Sequence, residues 1–191
     1  MATDANRAAL KAQLIEIIKR RSFQSGREIK LASGKISTYY FNLKPTMMDA
    51  EGAHLIATLI LDAIAELKPD FVGGLEMGAV PIAAAVTAVS HTTEQPVGAF
   101  FVRKQAKDHG TQSLIEGLPA GETLKGKRVV IVEDVTTTGG SAVKAAQNVR
   151  DEGADVVGVV TIVDRLDGAG AAFAAAGLTL TAILTLDDFR N

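Results

Sequence analysis

Val129-Val130-Ile131-Val132-Glu133-Asp134-Val135-Thr136-Thr137-Thr138-Gly139-Gly140-Ser141 is the stretch that most constrains this chain. Four branched aliphatics in succession suit a strand buried on both faces, and such a strand needs helices above and below it. The acids Glu133 and Asp134 come where the strand is expected to leave the sheet at its C-terminal edge, the side on which open α/β sheets take ligands. There they can face the hydroxyls of a polyol. Gly139 and Gly140 allow tight or positive-φ backbone, and Ser141 opens a helix with Val143, Ala146 and Val149 on its apolar positions. An anion such as phosphate fits that helix start, where unpaired amides and the helix dipole both favour negative charge. A buried strand, a Thr/Gly turn and a capped helix would explain the glycines and the serine. They leave the adjacent acids unexplained, because paired carboxylates repel without a cation or polyol beside them.

The segment is neither of the two commoner nucleotide loops. A P-loop needs Gly-Lys-Ser/Thr after a four-residue gap, and the dinucleotide fingerprint needs Gly-x-Gly-x-x-Gly directly after the strand. Around it the chain alternates. Residues 1–21 form an amphipathic helix on Leu10, Leu14, Ile17 and Ile18, followed by short strands at 28–31 and 38–42 about a turn at Ser33-Gly34-Lys35. Ala53, Ile56, Leu59, Ile60, Ala63 and Ile64 mark a helix that Lys68-Pro69 ends, and 71–74 a brief strand. A helix over 81–89, strands over 97–102 and 128–132, a helix over 141–152 and a strand over 155–163 follow. A small-residue helix at 168–176 and a last strand at 178–184 complete the series. Such βα alternation predicts a mostly parallel sheet flanked by helices, with right-handed crossovers. The 191 residues suffice for one domain and argue against a second.

Charge and composition narrow the partners. A net charge of -2 and pI near 5.9 argue against a nucleic-acid-binding surface. There is no cysteine, so thiolate chemistry and disulfides are excluded, in keeping with a reducing compartment. Neither a signal core nor a membrane-spanning stretch is present, and the expected location is the cytoplasm. His54 and His91 read as ordinary helix or loop histidines.

A second stretch, Phe101-Val102-Arg103-Lys104-Gln105-Ala106-Lys107-Asp108-His109-Gly110-Thr111, ends a strand in four potentially cationic groups. Residues 111–127 then show no sustained period, as in connections that close over substrates. Alone, such a stretch would be a solvated charged loop.

Taken together, residues 129–141 resemble the phosphoribosyl-pyrophosphate (PRPP) signature of type I phosphoribosyltransferases, and Arg103, Lys104, Lys107, His109 and Gly110 resemble the Arg-Lys-x-x-Lys-x-His-Gly loop of the orotate phosphoribosyltransferases. The resemblance implies the type I phosphoribosyltransferase (Rossmann-like) fold as a single domain over 1–191. Its small N-terminal hood would be approximately 1–45 plus part of 166–191, over a core of approximately 46–165. It implies transfer of 5-phosphoribosyl from PRPP to N1 of orotate, giving orotidine 5′-phosphate and pyrophosphate in pyrimidine biosynthesis. Transfer to another base, or a non-catalytic PRPP-binding regulator, are the alternatives.

The same resemblance implies roles. Glu133 and Asp134 would hold the ribose hydroxyls, and Val135, Thr136, Thr137, Thr138, Gly139, Gly140 and Ser141 the 5′-phosphate. Met77 and Gly78, in a glycine-rich turn before a helix, would hold pyrophosphate through backbone amides. Lys107 would be the chief leaving-group cation, with Arg103, Lys104 and His109 assisting and Asp134 catalytic beside them. Thr137, Arg165 and the aromatic pair Tyr40 and Phe41 would take orotate, although alternation in a hairpin would equally send one aromatic to the core. Mg²⁺ would be held through PRPP and waters, with Asp134 steadying the waters. A homodimer is implied, with the 103–110 loop shared across the interface. Two departures stand out: Ala32 and Met77 occupy positions where family members carry basic residues.

Overall fold

The computed structural model describes residues 3–30, 36–105 and 113–190, without the side chains of 27–30. The expected turn at 33–35, Ala32, and the loop residues Lys107, His109 and Gly110 lie outside the described residues.

Helix α1 (Asp4–Arg21) begins at Thr3, whose side chain accepts from the Asn6 amide, and buries Leu14, Ile17 and Ile18. Strands β1 (Phe23–Lys30) and β2 (Ile36–Phe41) pair antiparallel as a separate two-stranded sheet. β1 starts five residues before the expected strand because Phe23 pairs with Phe41 and both rings meet Phe189, with centroids 4.9 and 5.3 Å from Phe23. Phe189 belongs to the C-terminal 3-10 turn, Leu186–Phe189, so this hairpin is fixed by a residue from the far end of the chain.

After the hairpin come α2 (Lys44–Met47), a single turn not expected from the sequence, and α3 (Ala50–Ile64), capped by Asp49. Then β3 (Phe71–Leu75), α4 (Ala79–Ser90), β4 (Gly98–Val102) and a two-residue β5 (Ile115–Glu116) follow. The second half runs β6 (Arg128–Thr136), α5 (Gly140–Asp151), β7 (Asp155–Asp164), α6 (Ala169–Ala175) and β8 (Leu180–Thr185). The main sheet has the order β5-β4-β3-β6-β7-β8, parallel except where β5 meets β4.

β6 shows why the fold follows from its sequence. Val130 and Val132 enter the cluster built with α1, α3 and α4, while Val129 and Ile131 enter the cluster with α5 and α6. Both faces are apolar because both are covered. The strand also runs four residues beyond the expected end at Val132. β7 continues to pair with it as far as Thr136, opposite Asp164, whereas β3 stays with it only to Ile131. Glu133 and Asp134 therefore sit within a strand that has lost one neighbour, rather than past its end. Chain order reverses between β3 and β6, and a crevice opens at their C-terminal ends, where doubly wound sheets bind ligands.

Candidate functional site

A cavity of about 400 Å³ occupies that crevice, lined on one side by Leu75 to Ala79 and on the other by Val132 to Asp134, Ser141 and Ala142, with Lys44 and Lys104 completing its wall. It brings together Met77, Gly78, Lys104, Glu133, Asp134 and Ser141 among the expected residues. The approach of the two walls is close. A Cβ on Gly78 would lie 2.7 Å from Asp134 Oδ1, so only glycine lets the β3–α4 turn lie against that carboxylate. Val135 and Thr136 end β6, Thr137 to Gly139 form the adjoining turn, and Gly140 begins α5.

The start of α5 differs from expectation. Gly139, not Ser141, precedes the helix, with φ of 79°, and no side chain caps its amides. Two constraints converge on glycine here: the left-handed backbone, and the Phe173 ring 3.0 Å from where a Cβ would be. Ser141 is freed from capping and its hydroxyl turns toward Glu133. The uncapped first turn of a 12-residue helix leaves its leading amides available to an anion.

Glu133 is the electrostatically unusual group. Burial pushes its carboxyl up from the ordinary 4.5 to about 7, and the neighbouring Asp134 charge adds to the rise. Hydrogen bonds from Thr136 and Ser141 work against it, the Thr136 hydroxyl donating at 2.9 Å. Between pH 4.5 and 7 the folded chain therefore holds a proton that the unfolded chain has released. Stability from this group is full below 4.5 and is lost as pH rises through 7. Glu133→Gln removes the titration while keeping the shape. Melting temperatures of the two proteins across pH 4 to 8 will show wild type losing ground to the variant up to about 7, then running parallel to it. A difference constant with pH would refute the raised value.

The stem of the cationic loop is tied down at both ends. The Lys104 amide donates to Glu76 Oε1 at 2.9 Å, and the Glu76 amide to Val102 O, also at 2.9 Å. Glu76 thus latches the β3–α4 turn to the end of β4. Arg103 is not brought to the cavity of its own chain. Its Nη1 donates to Glu116 Oε1 at 3.0 Å and its Nε to Gln105 O at 3.1 Å, because β5 lies antiparallel to β4 and places Glu116 across from Phe101. Successive side chains on such an extended stem point to opposite sides. Lys104 faces the cavity and Arg103 faces away.

Arg165 follows the end of β7 and reaches the hood, while Thr137 lies in the turn after β6 and Tyr40 on the exposed face of β2. The Arg165 amide donates to Thr136 O at 3.0 Å, and its guanidinium, only 5% exposed, donates through Nη2 to Ser37 Oγ on β2 at 3.0 Å. Asp167 lies 3.4 Å from Nε, near enough to attract but not hydrogen-bonded, so Nε has no hydrogen-bond partner among the described residues. A buried guanidinium with an unused donor is costly, and it suits a carbonyl or carboxylate ligand. The aromatic pair separates. Tyr40 is 36% exposed, whereas Phe41 is buried against Phe23 and Phe189. The expectation that both lie on a planar ligand is corrected for Phe41: strand alternation commits it to the core.

Lys44 is the cavity residue that the sequence reading missed. Its signal was the Lys44-Pro45 pair directly after an aromatic strand, a helix-start signature. Among the described residues, no group of three or more His, Asp or Glu side chains could hold a metal ion, and no helix is long and apolar enough to cross a membrane.

Comparison with known proteins matches residues 44–180 to the phosphoribosyl transferase domain. Over 184 residues, 96% of this chain and 98% of the relative, the chain is 56% identical to an orotate phosphoribosyltransferase of Bradyrhizobium diazoefficiens. Among solved structures, the Mycobacterium tuberculosis orotate phosphoribosyltransferase in complex with Fe(III) dicitrate superposes with a TM-score of 0.81 at 40% identity, covering 95% of this chain and 99% of that one. The same enzyme in complex with PRPP gives 0.77 at 37% identity, covering 94% and 98%.

Proposed function

We propose that this chain, which belongs to the phosphoribosyl transferase domain family and is an orotate phosphoribosyltransferase, takes PRPP in the cavity between β3 and β6 and orotate on the hood side of it. The reaction moves the 5-phosphoribosyl group from diphosphate to N1 of orotate. The C1–O bond to diphosphate breaks, N1 bonds to C1 and releases its proton, and orotidine 5′-phosphate and pyrophosphate result. The observation that carries the placement is the switch-point cavity itself, a space of ligand size that Glu133, Asp134 and the glycine-rich turn line together.

In this reading the first amides of α5 hold the 5′-phosphate, and the acids take the ribose 2′- and 3′-hydroxyls. A hydroxyl donating to Glu133 favours its ionised form, so binding works against the burial that raises its pKa. The diphosphate then extends toward Met77, Gly78 and Lys104. Charge grows on the leaving oxygens as the bond breaks, and fixed cations that meet it there lower the barrier. Lys107 is the main such cation, with Lys104 and His109 assisting. On the other side Arg165, Thr137 and Tyr40 hold orotate flat and aimed at C1, so that positioning supplies much of the rest.

Mg²⁺ is the cofactor this donor set suits. The paired acids are hard oxygen ligands too few to cage an ion, which fits a cation carried on the substrate's own oxygens with Asp134 steadying its waters. When bound it would neutralise part of the diphosphate charge. The outward face of Arg103 beside the inward Lys104 supports a homodimer in which the 103–110 loop serves a neighbouring subunit's site. Work in the cytoplasm fits a cysteine-free chain.

The test is ultraviolet loss of orotate when purified protein meets PRPP and Mg²⁺, with adenine, hypoxanthine and uracil in parallel. Turnover of orotate alone is expected. Turnover of another base would move the assignment of Arg165 and Tyr40, and PRPP binding without turnover would make the chain a regulator.

A further inference from the structure

We infer that Lys44, from the turn that follows the hood, is the cation that meets the diphosphate of PRPP, supplying from another element the positive charge that the 73–81 turn lacks. This rests on the reading of the β3–β6 cavity as the PRPP site.

The wall of the cavity formed by 75–79 carries Glu76, Met77 and Gly78 and no basic side chain, with Met77 59% exposed at the place where a cation would be useful. The opposite wall adds Glu133 and Asp134. Among the described residues lining the cavity only Lys44 and Lys104 are cationic, and neither makes an ion pair with another described residue. The three carboxylates are otherwise engaged. Glu76 accepts from the Lys104 amide, Glu133 from Thr136, and Asp134 from the Val135 amide.

Lys44 is also held as a functional side chain needs to be. α2 is one turn, yet Leu43 and Thr46 are fully buried and Met47 nearly so. Thr46 Oγ1 lies 2.7 Å from Ser22 Oγ at the end of α1, and the Met47 and Met48 amides close the turn on Leu43 O and Lys44 O at 2.8 and 3.0 Å. The backbone of Lys44 is thus anchored on three sides while its side chain remains exposed at the cavity. A flexible ammonium on a rigid base can follow diphosphate from substrate to product, with three rotatable donors. The other parts of the substrate are already matched in that reading. With the 5′-phosphate on the first amides of α5 and the ribose on Glu133 and Asp134, the diphosphate is the part of PRPP left for the ammonium that Lys44 adds to the cavity wall.

The experiment compares wild type, Lys44→Ala and Lys44→Arg for binding of PRPP, pyrophosphate and orotidine 5′-phosphate by calorimetry with Mg²⁺, and for steady-state kinetics. Orotidine 5′-phosphate has the ribose and the 5′-phosphate but no diphosphate. Lys44→Ala should weaken PRPP and pyrophosphate by roughly ten- to a hundredfold, raise KM for PRPP, and leave orotidine 5′-phosphate unchanged. Lys44→Arg should restore most of the loss. Unchanged PRPP and pyrophosphate binding would overturn the inference, as would an equal weakening of all three ligands, which would mean a role in folding the hood. Wild type that fails to turn over orotate would instead sink the functional reading.

Discussion

Arg165→Met lowers kcat/KM for orotate by about 10²- to 10⁴-fold while PRPP binding stays near wild type. The size follows from the donors lost. Hydrogen bonds to a charged group contribute about 1.5–3 kcal/mol each, and an orotate carbonyl or carboxylate can engage two donors of one guanidinium. The direction follows from where Arg165 sits: its amide is fixed to β6 through Thr136 O, and its guanidinium reaches the hood through Ser37. Methionine fills the space of the stem without the charge. Ser37 Oγ keeps its bonds to the Tyr39 backbone, so the hairpin survives the change. Separate KM values for the two substrates, with a melting curve, decide the matter. A variant that melts earlier yet turns over orotate normally would make Arg165 a strut between β7 and the hood. Arg165→Lys should recover only part of the loss, because an ammonium cannot present the planar fork.

What was legible in the sequence is what the backbone writes locally. The alternating faces of β6, the paired acids and the glycine before α5 all lie within 13 residues, and each is dictated by sheet burial, charge repulsion or φ. What was not legible depends on partners distant in sequence. Nothing in Arg103 itself reveals that Glu116 will draw it away from the cavity, since that follows from the antiparallel return of β5. Tyr40 and Phe41 are alike as residues, and it is Phe189, nearly 150 positions on, that claims Phe41 for the core. The end of β6 was set too early because hydrophobicity stops at Val132, whereas pairing with β7 does not. α2 is a single turn, too short to show a period, and it carried the one cationic cavity residue that went unread.

The two stem residues also separate the roles that the loop can play. Glu76 holds the Lys104 amide, so the loop leaves β4 from a fixed point on the wall of the cavity, and Arg103 is clasped on the opposite side. A rigid stem with cations on both sides can serve two sites at once: Lys104 the site of its own chain, the residues beyond it that of a neighbour.

That arrangement predicts a large effect with an unusual rescue. Lys107→Ala alone should reduce turnover by roughly 10² or more, as loss of a leading transition-state donor does. Asp134→Asn alone should also be nearly inactive if, as proposed, the wall from which it removes charge takes the ribose. If the loop works in the neighbouring subunit's site, a mixed dimer of the two variants contains one site in which neither residue is altered. The Asp134 of the Lys107→Ala chain meets the Lys107 of the Asp134→Asn chain, and the second site carries both changes. With random reassociation half of the dimers are mixed, and each has one good site of two, so about a quarter of wild-type activity returns. Coexpression of differently tagged chains, followed by sequential affinity purification, isolates the mixed dimer and should raise recovery to about half. A loop that serves its own chain gives no rescue at any mixing ratio, because every site then contains one altered residue. Recovery near a quarter would assign Lys107 to the partner's diphosphate, and zero recovery would return it to its own.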